Sequence, residues 1–104
     1  MSAQELAPPA EDGWRGAELE AIRDEIERID RAMIALIAER VRLAREVGAA
    51  KRARGLPILD PAREAAVVRR AGTLAREAGL PDDDVRYIYW HLIGLSRRAQ
   101  QMEE

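Results

Sequence analysis

The sequence predicts an all-α protein with three helices per chain, the first of them very long. Apolar residues recur at steps of three and four along three stretches, which is the spacing of one helix face. Gly and Pro residues separate these stretches, and none of them alternates apolar and polar residues as a strand does. Aromatic residues make up only 4% of the 104 residues, and Phe is absent. A thick core within one chain is therefore not expected, and a helical or shared core is favoured.

The first helix is predicted to start near Leu19 and to end near Arg54, with Gly55 as its C-terminal stop. Its face follows steps of three and four through Ile22, Ile26, Ile29, Met33, Leu36, Arg40, Leu43, Val47 and Ala50. Residues 1–16 contain two Pro and two Gly among small and acidic residues, a composition that predicts a mobile tail. Residues 17–104 are predicted to form the helical domain.

Two shorter helices follow the long one. Asp60 is suited to cap the second helix and Pro61 to occupy its first position, and Gly79 marks its end. The third helix is predicted to begin among the three aspartates at 82–84, since acidic residues favour a helix N-terminus, and to end near Met102. Three helices thus account for nearly all of the chain.

The length of the first helix predicts a partner chain. A helix over residues 18–54 would be about 55 Å long at 1.5 Å per residue. A compact chain of this size has a radius of gyration of only about 13 Å, so one chain cannot cover such a helix. Its apolar side is therefore expected to meet a second copy or another protein, and closed two-fold pairing is the commonest arrangement.

Composition excludes several classes of function. Lys and Arg number 17 against 19 Asp and Glu, a formal net charge of −2, so no general basic field attracts nucleic acid or anionic membrane. The basic stretch RVRLAREVGAAKRARG has no interleaved aromatic residues for base stacking, which favours a solvated helix face. One His and no Cys disfavour a metal site and exclude disulfides. No segment has the apolar length of a membrane span, and we expect a cytoplasmic protein.

Polar residues on apolar helix faces are the candidate site. Arg23, Arg40 and Lys51 lie on or beside the apolar side of the first helix. Arg63 and Glu64 fall in the first turn of the second helix, and the third helix carries two polar residues four apart, Ser96 and Gln100. Taken singly, each cation could reach water or form a structural ion pair. Taken together, they are hydrogen-bond donors in excess of acceptors, which a small dianionic ligand would satisfy.

Spacing decides which of these residues could share one ligand. Arg40 and Lys51 are separated by about 16 Å along the helix, which two long side chains and a metabolite could span. Arg23 lies about 25 Å from Arg40, too far to reach the same ligand from the same helix. In an antiparallel dimer, however, Arg23 of one chain could approach Arg40 or Lys51 of the other. A shared site therefore predicts dimerisation.

At this point the sequence resembles the all-helical (type II) chorismate mutases related to bifunctional shikimate-pathway enzymes of bacteria. The resemblance covers about residues 18–102 and includes LEAIRDEIERID, ALIAERVRLAREVGAAK, LPILDPARE and SRRAQ. No single segment is specific, but the ordered set of polar residues at matching separations is: Arg23, Arg40, Lys51, Asp60, Arg63, Glu64, Ser96 and Gln100.

The resemblance implies an intertwined helical homodimer with two shared active sites, each taking Arg23 from the partner chain. It implies an isomerase that rearranges chorismate to prephenate, on the route to Phe and Tyr, with no metal or redox cofactor. Arg23, Arg40 and Ser96 would bind the substrate's carboxylates, with Arg63 in support. Two further residues, Lys51 and Gln100, would meet the ether oxygen. The ring hydroxyl would be held by Glu64 and by the backbone near Asp60.

Several alternatives stay open at the level of sequence. Enzymes that resemble this family eliminate pyruvate from isochorismate or rearrange 4-amino-4-deoxychorismate, and they use a similar cationic pocket. Ser96 together with Gln100 favours a mutase over a lyase. Glu64, however, could accept a hydrogen bond from a hydroxyl or from an ammonium group, so the two mutase substrates are not separated. A non-catalytic helical dimerisation module, or a mutase that depends on a docked pathway enzyme, are the remaining alternatives.

Overall fold

The computed structural model describes the backbone of residues 3–102 and the side chains of residues 16–102. This part of the chain contains only helices: α1 (Ala3–Ala53), α2 (Pro61–Glu77) and α3 (Asp82–Gln101). The all-α, three-helix prediction is therefore confirmed. The predicted start of the first helix near Leu19 is wrong, because α1 already begins at Ala3. The predicted mobility of residues 1–16 stays a prediction. None of the described segments has the combined length and apolarity that crossing a bilayer requires.

The chain divides into two compact units, Met1–Leu36 and Ile37–Glu104. The first unit is the N-terminal part of α1. Its exposed ion pairs connect arginines and glutamates one helical turn apart, such as Arg23 with Glu20 at 2.9 Å. Its large apolar side chains are about half exposed, and we call those at steps of three and four the apolar stripe: Leu19, Ile22, Ile26, Ile29, Met33 and Leu36.

In the second unit, α2 and α3 form an antiparallel hairpin. An ion pair between Arg76 and Asp82 connects the two helices next to the loop, and an ion pair between Glu64 and Arg97 connects them at the other end. Between these pairs, the buried side chains of Val67, Val68 and Ile93 make the core, and Tyr89 packs against it. The other buried apolar side chains are small, and all of them are alanines: Ala44, Ala71, Ala75 and Ala99.

The C-terminal part of α1 packs closely against the end of α3. Gly48 is buried there, and a Cβ atom at this position would lie only 2.8 Å from the Cα of Gln100. Arg52 strengthens the contact because its guanidinium donates to the carbonyl of Gln100 at 2.7 Å. That carbonyl lies in the last turn of α3, where backbone carbonyls have no N–H partner within the helix. Glycine at position 48 therefore permits the close approach of α1 and α3.

Glycines end both helices that precede a loop. Gly55 and Gly79 have positive φ angles of 66° and 74°, which glycine adopts without a steric penalty. After α1, the N–H of Leu56 donates back to the carbonyl of Lys51 at 2.8 Å, which is a Schellman arrangement. The same pattern follows α2. The helix ends predicted from these glycines are confirmed, and the first one brings Lys51 next to the loop before α2.

Candidate active site

A cavity of about 510 Å³ lies in the second unit, among α1, α2 and α3. This volume falls within the range of about 300–1,000 Å³ typical of small-molecule sites. Seven of the eight predicted site residues line it, namely Arg40, Lys51, Asp60, Arg63, Glu64, Ser96 and Gln100. The apolar part of the lining is Leu43, Ala44, Val47, Val67 and Ile93. The fold thus gathers polar side chains from three helices over an apolar surface.

Lys51 joins three parts of the site. Its ammonium donates to the side-chain oxygen of Gln100 at 2.9 Å and to the carbonyl of Ile58 at 2.9 Å. An ammonium has three N–H groups and accepts no hydrogen bond, so one donor is left for a ligand. The amide of Gln100 must turn its oxygen to Lys51, which leaves its NH₂ group as a donor. Two donors, one charged and one neutral, are therefore held side by side.

Arg40 and Ser96 form a second pair of donors. Ser96 is buried in α3, and its hydroxyl accepts a hydrogen bond from the half-buried guanidinium of Arg40 on α1. The guanidinium has five N–H groups in a planar fork, so the pair with Ser96 fixes its direction while other N–H groups stay available. Such a fork is suited to a carboxylate.

The start of α2 shapes the opposite side of the cavity. The Asp60 carboxylate accepts from the backbone N–H of Arg63 at 3.2 Å, so the predicted N-cap is confirmed. The cap also fixes the direction in which the first turn of α2 leaves the loop. The Arg63 side chain is exposed, and it is the third cation of the cavity lining.

Glu64 is engaged by a residue that the sequence did not single out. Both of its carboxylate oxygens accept from Arg97, at 2.6 Å from Nη2 and at 3.0 Å from Nε. This bidentate hydrogen bond and the charge of Glu64 raise the pKa of Arg97 above its ordinary value. The two residues are 33 positions apart, and no local pattern connects them. The sequence offered one signal for this pairing, namely that Arg97 directly follows Ser96 in SRRAQ.

Arg23 is the predicted site residue that does not line this cavity. It belongs to the first unit, where its side chain is 62% exposed and pairs with Glu20. An exposed pair one turn apart on a helix contributes little stability, about 0.3–0.5 kcal/mol, so Arg23 could exchange Glu20 for another anion at small cost. Its role in a site stays a prediction.

The charge of the lining indicates what the cavity could bind. Three cations and the two donors at Ser96 and Gln100 face it, against two carboxylates. Of these carboxylates, Glu64 is balanced by Arg97 and Asp60 caps a helix. The arrangement suits a small anion with more than one acceptor group and one donor. Donors arranged in this way can hold such an anion in one orientation and stabilise negative charge on it.

Comparisons with known proteins agree with this geometry. Residues 22–101 match the family described as chorismate mutase type II. The chain is 43% identical over 67 residues to the T-protein of Enterobacter agglomerans, 64% of this chain, but it spans only 18% of that longer protein. It is 35% identical over 83 residues to the chorismate mutase of Methanocaldococcus jannaschii, which covers 80% of this chain and 84% of that protein.

A solved structure has the same fold. A conserved hypothetical protein from Pyrococcus furiosus superposes with a TM-score of 0.66 at 32% identity, covering 80% of this chain and 95% of the other. The family match takes in all eight predicted site residues, from Arg23 to Gln100. The matched residues also contain α1 from Ile22 onward and the whole of α2 and α3. The chain belongs to the chorismate mutase type II family.

Proposed function

We propose that this protein is a chorismate mutase, an isomerase that converts chorismate to prephenate. The observation that carries the proposal is the cavity in which Arg40, Lys51 and Gln100 present donors from two helices over an apolar surface. Family membership and the 35% identity to a chorismate mutase of similar length support it. Chorismate carries two carboxylates, an ether oxygen and one ring hydroxyl, which match the donors and the acceptor of the lining.

The reaction is an intramolecular rearrangement in which one C–O bond breaks and one C–C bond forms. No atom is gained or lost, so neither a nucleophile nor an external acid is required. The protein accelerates it by holding the substrate in its compact reactive conformer and by stabilising negative charge that grows on the ether oxygen. An apolar wall formed by Val47, Val67 and Ile93 would enclose the ring and exclude water.

Lys51 and Gln100 are proposed to bind the ether oxygen. Lys51 offers a compact positive charge and Gln100 a neutral N–H donor that does not titrate near neutral pH. Their mutual hydrogen bond of 2.9 Å holds both donors in place before the substrate arrives. Donors that are already oriented require little reorganisation as charge develops, which is why they favour the transition state.

Arg40, Ser96 and Arg63 are proposed to bind the carboxylates, together with Arg23 of the partner subunit. The guanidinium of Arg40 is directed by the buried hydroxyl of Ser96, which leaves a fork for one carboxylate. Glu64 and the backbone near Asp60 would hold the ring hydroxyl. These assignments give each polar group of the substrate at least one partner.

The active molecule is proposed to be an intertwined homodimer. Six large apolar side chains of the apolar stripe are 46–64% exposed in the single chain. A regular face of this length, rich in Ile and Leu, is unusual on a monomer and typical of a helix that pairs with another. A second copy is the occupant favoured here because two-fold pairing of the stripe would also supply Arg23 to the partner's site.

The test of the function is to identify products. Purified protein would be mixed separately with chorismate, isochorismate and 4-amino-4-deoxychorismate, and the products followed by NMR. We expect prephenate from chorismate, formed faster than any product of the other two compounds. Pyruvate released from isochorismate, or turnover of the amino compound alone, would replace the proposed substrate. Absence of turnover with all three would contradict the proposal for the isolated chain.

A pathway enzyme that docks on this protein is the remaining part of the proposal. Its support is that the matched segment is a small part of a longer protein in the T-protein relative. A docked enzyme would raise a weak basal rate, so chorismate turnover should be measured with and without added enzymes of the same pathway. An unchanged rate with each of them would contradict this part.

A further inference from the structure

The pair formed by Glu64 and Arg97 bears on which substrate the cavity selects. Glu64 lines the cavity and its side chain is only 17% exposed, whereas Arg97 does not line the cavity and forms an ion pair with Glu64. The ion pairs on the surface of α1 have side chains that are 58–78% exposed. The Glu64 pair is therefore the less solvated one, and its charges are less screened.

Two carboxylates line this cavity, those of Glu64 and Asp60. Asp60 is exposed and is directed by its N-cap bond to the backbone of α2, whereas Glu64 is partly buried, so a hydrogen bond to Glu64 is less weakened by water. The remaining polar side chains of the lining are cations or have an N–H or O–H group to donate. A donor group on a bound ligand is thus directed to Glu64. Each oxygen of Glu64 accepts one bond from Arg97, which leaves a lone pair on each for the ligand.

The charge at this position is balanced before any ligand binds. The guanidinium of Arg97 meets both carboxylate oxygens at 2.6 and 3.0 Å, so the pair as a whole is neutral. A ligand group that bonds to Glu64 would lie about 3 Å from its oxygens and only a few ångströms farther from the guanidinium. A neutral hydroxyl would gain its hydrogen bond there. An ammonium would gain the same bond but would also be repelled by Arg97.

We propose that Arg97 is a specificity-determining residue, which acts through Glu64 to select a substrate with a neutral ring hydroxyl over one with a ring ammonium. This rests on the proposed function and deepens it, because it distinguishes chorismate from its 4-amino analogue. Arg97 is a positioning residue, since it does not itself face the ligand. Its charge sets the selectivity, and its planar fork sets the direction of the Glu64 carboxylate.

The test compares the kcat/KM values of two substrates in variants of Arg97. The ratio of kcat/KM for chorismate to kcat/KM for 4-amino-4-deoxychorismate would be measured in the wild type, Arg97→Met, Arg97→Gln and Arg97→Lys. We expect this ratio to fall about tenfold or more in the Met and Gln variants, because Glu64 then presents a net negative charge. Arg97→Lys keeps the charge, so its ratio should stay near that of the wild type. A ratio does not depend on the fraction of correctly folded enzyme.

Arg98→Met is the matched control. Arg98 is the exposed neighbour of Arg97 on α3 and makes no ion pair with Glu64, yet its replacement removes the same charge from the protein. An unchanged ratio in Arg97→Met, or an equal fall in Arg98→Met, would overturn the inference.

The dissociation constants of both compounds would be measured by calorimetry on the same proteins. If the wild type turns over neither compound, the proposed function fails, and the ratio of dissociation constants still tests the role of Arg97 by the same comparison. If the wild type binds neither compound, both the function and this inference are overturned. A wild type that prefers chorismate, with a ratio that Arg97→Met leaves unchanged, overturns only the inference.

Discussion

At the scale of the residue, the polar side chains of the cavity are held by one another. Lys51 is bonded to Gln100 and to the carbonyl of Ile58, and Arg40 is bonded to Ser96. Among the described residues, no buried side-chain nitrogen or oxygen lacks a hydrogen-bond partner. Donors that are fixed in this way lose little freedom on binding, which is the physical basis of preorganised electrostatic stabilisation.

Replacement of Lys51 by Ala is expected to lower chorismate turnover. Removal of one donor to a developing oxyanion typically reduces kcat about 10²–10³-fold, equivalent to about 3–4 kcal/mol. The measurement is kcat with chorismate, with far-UV circular dichroism to verify that the helix content is retained. Arg42→Ala is the control, since Arg42 loses only exposed bonds to Glu39 and Glu46 on the same helix. A mild loss in Lys51→Ala would remove Lys51 from the proposed mechanism.

At the scale of the element, the contact between α1 and α3 places Lys51 next to Gln100. The two helices approach at Gly48, where the backbone of Gln100 occupies the space of a side chain. Glycine is unfavourable inside a helix by about 1 kcal/mol relative to Ala, so the close contact must outweigh that cost. The hydrogen bond from Arg52 to the carbonyl of Gln100 also fixes the position of Gln100 along the axis of α1.

Gly48→Ala is therefore expected to destabilise the protein. Helix propensity alone predicts a gain of about 1 kcal/mol in the free energy of unfolding. The new Cβ would lie 2.8 Å from the Cα of Gln100, and overpacking of this kind typically costs about 1–3 kcal/mol. Urea denaturation, followed by circular dichroism at one protein concentration, measures the sign of the net change.

Gly94→Ala provides the comparison for this prediction. Gly94 also lies inside a helix, but a Cβ there would meet only the end of the Arg98 side chain at 3.5 Å, an ordinary contact. We expect no loss of stability in this variant and a gain of up to about 1 kcal/mol. If Gly48→Ala is more stable than the wild type and its turnover is unchanged, then neither stability nor activity depends on the close approach of α1 and α3.

At the scale of the whole molecule, the proposed site depends on a second chain. The apolar stripe is half exposed in the single chain, and among the described residues Arg23 pairs with Glu20 alone. In the proposed dimer, both features have the same explanation, since pairing along the stripe buries apolar area and delivers Arg23 to the partner's carboxylate site. The stability of the protein should then depend on its concentration.

Complementation between two inactive variants tests the shared site. Arg23→Ala and Lys51→Ala should each be poorly active alone, because every site of each homodimer lacks one cation. After the two are refolded together, a mixed dimer has one site with both residues intact, so roughly a quarter of the wild-type activity should return. Each variant refolded alone is the control. No recovery, despite mixed dimers in native mass spectrometry, would mean that Arg23 serves its own chain or none.

The sequence by itself determined the three helices, the ends marked by Gly55 and Gly79, and the set of candidate residues, whereas the start of α1 lies at Ala3 and not near Leu19. These features are local, because a helix face repeats every three to four residues and a cap or a positive φ angle involves only its neighbours. The N-cap at Asp60 and the stop at Gly55 were predicted for this reason and are confirmed. Family resemblance added the roles of the site residues, and those roles remain proposals.

Only the tertiary structure decided which distant side chains meet. Arg97 contacts Glu64 across 33 positions and Lys51 contacts Gln100 across 49, and periodicity cannot specify such pairs. They depend on how far each helix is rotated and how closely it approaches the next, which is set by the small residues at the contact, such as Gly48. The neutralised Glu64, and with it the proposed preference for a hydroxyl, therefore became visible only once the helices were packed.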